Sequence, residues 1–80
     1  MEIIYSKQAV KYLNSLDRKT RIRIKEAIET IPWLDRDLKI QGVKNLSKLR
    51  VGNLRVLYER NSAIIYITLI MSRGQIYKRL

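Results

Sequence analysis

The chain has 80 residues, 46% apolar and 30% charged, which excludes a disordered composition and leaves room for one small core rather than two domains. Its 17 Lys and Arg against 7 Asp and Glu give a net charge of +10, a balance that points to a polyanion or an acidic protein as partner. Because the sequence holds no His and no Cys, it excludes disulfides, Cys/His zinc sites, Ser-His-Asp triads, cysteine nucleophiles and imidazole acid–base pairs.

The opening Met1-Glu2-Ile3-Ile4-Tyr5 has no basic leader. The longest apolar run, Ile64 to Met71, contains Tyr66 and Thr68 and falls far short of the ~20 residues of a spanning helix. A cytoplasmic protein with no membrane segment is expected.

In chain order, Glu2 to Tyr5 is predicted as a short strand. Ser6 is a good helix N-cap, because its hydroxyl can accept from an early unpaired N–H, and Tyr5 and Val10 stand at the positions of a hydrophobic staple around it. Ala9, Val10, Leu13 and Leu16 then recur at near-helical spacing, predicting one buried stripe. Asp17 is predicted to cap a second helix with a stripe of Ile24, Ala27, Ile28 and Ile31, stopped at Pro32. Pro32 to Asn45 has no clean period and includes Gly42; it reads as a loop, with room for a short turn, and Trp33 is expected to plug a core edge. From Leu46 the pattern turns to β: Leu46–Val51, Leu54–Arg60 and Ala63–Met71 are predicted strands, with a last one at about Gln75 to Lys78. The expectation is an α+β domain over residues 1–80, with two N-terminal helices packed on one face of a mainly antiparallel sheet of about four to five strands.

Alternation along the strands divides their side chains between two faces. With Gly52-Asn53 as a two-residue loop, Leu49, Val51, Leu54, Val56 and Tyr58 form a floor for the helices. Lys48, Arg50 and Arg55 gather on the other face, with Arg50 opposite Arg55. If Asn61-Ser62 closes the next hairpin, Ile65, Ile67 and Leu69 join the floor, while Ile64, Tyr66, Thr68 and Ile70 join the cationic face. Two arginines facing each other across a ladder repel, so packing alone would not favour them. From Leu46 to Leu80 there are seven basic residues and one acid, Glu59. The basic residues of the second helix, in contrast, have Glu26 and Glu29 nearby and read as ordinary surface.

Three stretches extend this reading. Ser6-Lys7-Gln8-Ala9-Val10-Lys11-Tyr12-Leu13 is similar to a Ser-x-x-Ala-x-Lys-x-Leu helix opening. Leu49-Arg50-Val51-Gly52-Asn53-Leu54-Arg55-Val56-Leu57-Tyr58 is similar to a Leu-Arg-Val-Gly-x-Tyr-Arg-Val-x-Tyr core. Arg73-Gly74-Gln75-Ile76-Tyr77 is similar to a terminal Arg-x-x-x-Tyr. In this order the chain resembles the RelE/ParE toxin superfamily of type II toxin–antitoxin systems. The resemblance implies a RelE-like fold and a ribosome-dependent endoribonuclease that cleaves translated mRNA, or alternatively a ParE-like toxin directed at gyrase. A non-catalytic nucleic-acid-binding domain is a third reading. It also implies that Lys48 works on the RNA, that Arg55 contacts the scissile phosphate, and that Arg73 and Tyr77 belong to the site. Leu46 stands where some RelE members carry a second lysine.

The chemistry expected of such a site needs no cofactor and no metal. The RNA 2′-OH attacks the adjacent phosphate, and the protein aligns the attack, neutralises the developing charge and moves two protons. Arg50, Arg55 and Arg73 suit charge neutralisation, since a guanidinium offers a planar fork to phosphate oxygens. Lys48 and Tyr77 are the candidates for base and acid, and the sequence does not say which takes which role. Lys44, Tyr66, Lys78 and Arg79 are candidate RNA contacts, with Tyr66 a stacking platform. The expected partners are the ribosome, mRNA and a cognate antitoxin, the last acidic and partly disordered when free so that it wraps the basic surface.

Overall fold

The computed structural model describes residues 1–72. The elements run β1 (Glu2–Tyr5), α1 (Lys7–Ser15), α2 (Arg18–Glu29), a 3-10 turn (Ile31–Trp33), β2 (Leu38–Lys39), β3 (Ser47–Val51), β4 (Leu54–Arg60) and β5 (Ile64–Ser72). The five strands form one sheet in the order β1-β5-β4-β3-β2, antiparallel except where β1 runs parallel to β5. The strand expected at about Gln75 to Lys78 lies outside the described residues. None of the described helices is long and apolar enough to cross a membrane.

The helix starts follow from their caps. The Ser6 hydroxyl accepts from the Ala9 N–H at 3.1 Å, and the Asp17 carboxylate accepts from the Thr20 N–H at 3.1 Å. Ala9 and Leu13 from α1, Ile24 and Ile28 from α2 and Ile31 beyond it are buried against Val51, Val56, Tyr58, Ile65, Ile67 and Ile70 of the sheet. Each fully buried isoleucine contributes roughly 1.5–3 kcal/mol of transfer free energy, so the helix stripes hold the two layers together. Val10 is not in that stripe: it is exposed and, with Tyr5, Leu13 and Arg21, lines a shallow groove beside α1.

α1 is also fastened to the sheet by hydrogen bonds. Where β1 ends, the Ser6 N–H donates to the Ile67 carbonyl at 2.9 Å and the Ser6 hydroxyl to the Thr68 carbonyl at 2.8 Å. Two residues on, the Gln8 amide donates to the Ile70 carbonyl at 2.8 Å and accepts from the Ile70 N–H at 2.9 Å. A side-chain amide thus occupies the place of a strand's peptide group, satisfying backbone that would otherwise lie unpaired beside a helix.

Two expectations about β5 are overturned. The hairpin from β4 does not close on Asn61-Ser62: Arg60 pairs with Ile65, and the Asn61 N–H donates to the Ile64 carbonyl, so the loop is longer. The register then shifts beside Leu57 and Tyr58, because Leu57 pairs with Leu69 but Tyr58 with Ile67, leaving Thr68 as the extra residue of a bulge. An inserted residue swaps the faces of everything beyond it. Ile70, expected among the cations, is therefore buried under the helices, and Leu69, expected in the floor, packs on the opposite face. Trp33 is corrected as well: it is 85% exposed and plugs nothing, while Ile31 takes the buried place.

Candidate nucleic-acid interface

The β3–β4 hairpin adopts the register its sequence predicts, with Val51 opposite Leu54, Arg50 opposite Arg55, Leu49 opposite Val56, Lys48 opposite Leu57 and Ser47 opposite Tyr58. Its two-residue turn takes a positive φ of 58° at Gly52 and not at Asn53, the type II′ pattern that suits the twist of the flanking strands. The Arg23 guanidinium stands 3.6 Å from where a Cβ on Gly52 would sit. The turn therefore requires glycine for its backbone angle, with the second helix close behind it.

From this register Lys48, Arg50 and Arg55 share the face turned away from the helices. Arg50 is exposed, whereas Lys48 and Arg55 are half-buried. Lys48 lies between Leu38 of β2 and Leu57 of β4, and Arg55 between Arg50 of β3 and Met71 of β5. The face is not uniformly cationic. Leu57 and Met71 are buried there in a second apolar cluster with Ile40, Leu46 and Leu69, contributed partly by the loop between β2 and β3. Leu46, at a position where a second lysine was conceivable, helps build that cluster.

Lys44 is exposed in the same loop, and Tyr66 is 39% exposed at the far end of the face, paired across the strands with Glu59. The cationic cluster and Tyr66 thus lie on one side of the sheet, separated by the apolar ridge. Arg73, Tyr77, Lys78 and Arg79 lie outside the described residues.

One basic residue of the sheet is withdrawn from any phosphate. Arg60 donates to the Asp37 carboxylate at 2.9 Å and to the Pro32 carbonyl at 3.0 Å, and the Tyr58 hydroxyl donates to the same Asp37 oxygen at 2.8 Å. Burial, then the hydrogen bond to Asp37 and the charge of Asp37, hold the Tyr58 phenol well above the ordinary tyrosine range, against a smaller opposing pull from Arg60. The triad fastens the segment after α2 to β4. Sequence reading missed it, because Asp37 sits in an aperiodic stretch 21 residues from Tyr58; an acid in a basic chain was the available signal.

At the end of the same face, Asn45, Glu59, Arg60, Asn61, Ile64 and Tyr66 line an open cleft of about 410 Å³. Among the described residues no three acidic side chains come together as metal ligands.

Two helices on one face of a five-stranded mixed sheet is the fold shared with solved RelE structures. The chain has 31% identity and a TM-score of 0.75 to the toxin fold in a RelB–RelE antitoxin–toxin complex from Methanococcus jannaschii, covering 96% of this chain and 98% of that one. It aligns at 14% identity and a TM-score of 0.76 with the intact E. coli RelBE toxin–antitoxin complex, over 89% of this chain and 94% of that one. A double arginine-to-alanine mutant of E. coli toxin RelE in the free state matches at 15% identity and a TM-score of 0.72, over 96% of this chain and 90% of that one. No curated protein sequence is significantly similar. Within that fold the family is specific: residues 3–77 match the model of the ParE toxin of type II toxin–antitoxin systems (parDE), and the chain belongs to this family, within the RelE/ParE superfamily.

Proposed function

We propose that this toxin is a ribosome-dependent endoribonuclease that cuts translated mRNA by attack of a 2′-OH on the adjacent phosphate. The observation that carries the reading is the shared face of Lys48, Arg50 and Arg55, with the two arginines directly opposed across β3 and β4. Opposed residues on neighbouring strands stand about 4.5–5.5 Å apart at Cα, close enough for both guanidiniums to reach one phosphate. A phosphate reached by both guanidiniums would offset their mutual repulsion. Arg50 and Arg55, joined by Arg73, neutralise the pentacovalent phosphate, and Lys48 and Tyr77 supply the proton transfers. Lys44, Lys78 and Arg79 hold the flanking backbone. The working site is in the cytoplasm, on the ribosome, and a cognate acidic antitoxin masks the same cations. Both RelB–RelE complexes among the similar structures support such a partner.

The test is in vitro translation followed by primer extension. Wild-type protein is expected to produce discrete breaks, and Arg55→Ala to lower cutting by about 10²–10³-fold while circular dichroism stays native. Undiminished cutting by Arg55→Ala overturns the site assignment. The family match to ParE favours a second reading, a gyrase-directed toxin. Inhibition of supercoiling without mRNA breaks would select it.

A further inference from the structure

At the β2 rim of the molecule two large apolar side chains face water. Among the described residues Trp33 is the most exposed of the large hydrophobics, at 85%, and Leu38 is next, at 60%. Arg60 brings them together. Its guanidinium donates to the Pro32 carbonyl at 3.0 Å and to the Asp37 carboxylate at 2.9 Å. One side chain thus ties the residue before Trp33 to the residue before Leu38, and the loop between them closes on itself. β2 ends the sheet of described strands, so this loop sits at its edge. Core packing does not account for Trp33, because Ile31 fills the buried place two residues earlier.

Charge decides what such a rim can meet. Residues 32–39 and the Arg60 clasp hold two acids, Asp35 and Asp37, and three bases, Arg36, Lys39 and Arg60, a balance of +1 in a chain of +10. RNA and an acidic antitoxin both seek dense positive charge, and the sheet face offers it better. A second copy of this chain has the opposite requirement. Itself at +10, it is repelled by every strongly basic surface and approaches best through a weakly charged one. Asp35, Arg36 and Lys39 are all exposed on the rim. Charges of both signs suit a two-fold contact, in which Asp35 of one copy meets Arg36 or Lys39 of the other and the reverse holds.

The size of the patch sets the strength of the contact. A buried tryptophan covers roughly 150–250 Å², so Trp33 and Leu38 from two copies supply the apolar centre of an interface near the small end of the specific range, about 1,200 Å² in total. Aromatic anchors of this kind are where interface energy concentrates. We infer that the rim carrying Trp33 and Leu38 is a self-association surface, through which two copies of the chain form a weak two-fold dimer. The contact needs neither Arg50 nor Arg55, so it stands whether or not the protein cuts RNA.

Sedimentation velocity on the free protein, from micromolar to near-millimolar concentration, is expected to show the average mass climbing from 9.5 kDa toward twice that value. Trp33 is the sole tryptophan, so its emission is expected to shift to the blue along the same concentration curve as water leaves the ring. Trp33→Ala is expected to weaken dimerisation at least about tenfold. Leu38→Lys is expected to do likewise while keeping the tryptophan as reporter. Both side chains are exposed, so urea midpoints of the two variants are expected to match the wild type. Salt supplies a sign. Raising it from about 0.1 to 1 M shortens the screening length from about 10 to 3 Å, which relieves repulsion between the two cationic chains, and the dimer is expected to tighten. A monomer at every concentration, or a dimer that both variants leave intact, overturns the surface. A dimer that loosens with salt overturns it too, because an ionic contact between unlike faces behaves that way. So does a tryptophan shift that occurs only when the antitoxin is added, since the rim then belongs to that partner.

Discussion

Asp37 accepts from both Tyr58 and Arg60 at a single oxygen, and its side chain and that of Arg60 are 13% and 19% exposed. Removing a shared acceptor leaves two donors stranded in a half-dry site, which costs more than removing either donor. Asp37→Ala is therefore expected to destabilise by about 2–3 kcal/mol and Tyr58→Phe by about 1 kcal/mol, measured by urea unfolding at neutral pH. Equal losses would show that Asp37 does not couple the pair. The phenol adds a pH signature. Its folded pKa is raised above the ordinary value of 10.0, so the native state keeps a proton that the unfolded chain releases. That contribution to stability is complete below about pH 10 and is lost as pH rises beyond it. Wild type is thus expected to lose stability more steeply than Tyr58→Phe in alkali; parallel slopes would refute the assignment.

Among the elements, β5 carries the most instruction about what a sequence reveals. The caps at Ser6 and Asp17 and the β3–β4 register were legible because each is a local signal: a polar residue before a periodic run, or a glycine turn between alternating strands. Those signals also placed Lys48, Arg50 and Arg55 together. The bulge at Thr68 was not legible, since Ile64 to Met71 is apolar at both parities and alternation cannot choose between registers. The Asp37 triad and the exposure of Trp33 depend on contacts distant in sequence, as does the Gln8 bridge. Two tests belong at this scale. Gln8→Ala strands the N–H and carbonyl of Ile70 and is expected to cost about 2–3 kcal/mol. Thr68→Val removes a buried hydroxyl that has no hydrogen-bond partner among the described residues and keeps its shape, so it is expected to stabilise by about 1 kcal/mol. A loss of similar size in the valine variant, seen in the same unfolding experiment, would mean that the hydroxyl supports the bulge.

Across the whole molecule, a net charge of +10 acts in opposite directions on the free protein and on its complex. In the free protein, the excess of positive charge repels itself and opposes folding. Salt shortens the reach of that repulsion, from about 30 Å at 0.01 M to about 10 Å at 0.1 M, and so relieves it. On the proposed ribonuclease reading, binding of single-stranded RNA instead draws on the same charges through counterion release, with a log–log slope of about −0.7 for each phosphate neutralised. Raising salt from 0.01 to 0.1 M is therefore expected to raise the melting temperature and lower RNA affinity together. Arg50→Thr should reduce both responses, because one residue contributes to each, and its slope in RNA binding should fall by about 0.7. The paired readout separates a binding surface from a merely solvated one. If salt stabilises the fold but the RNA slope is unchanged in Arg50→Thr, the opposed arginines do not meet the phosphate backbone, and the cationic face loses its role.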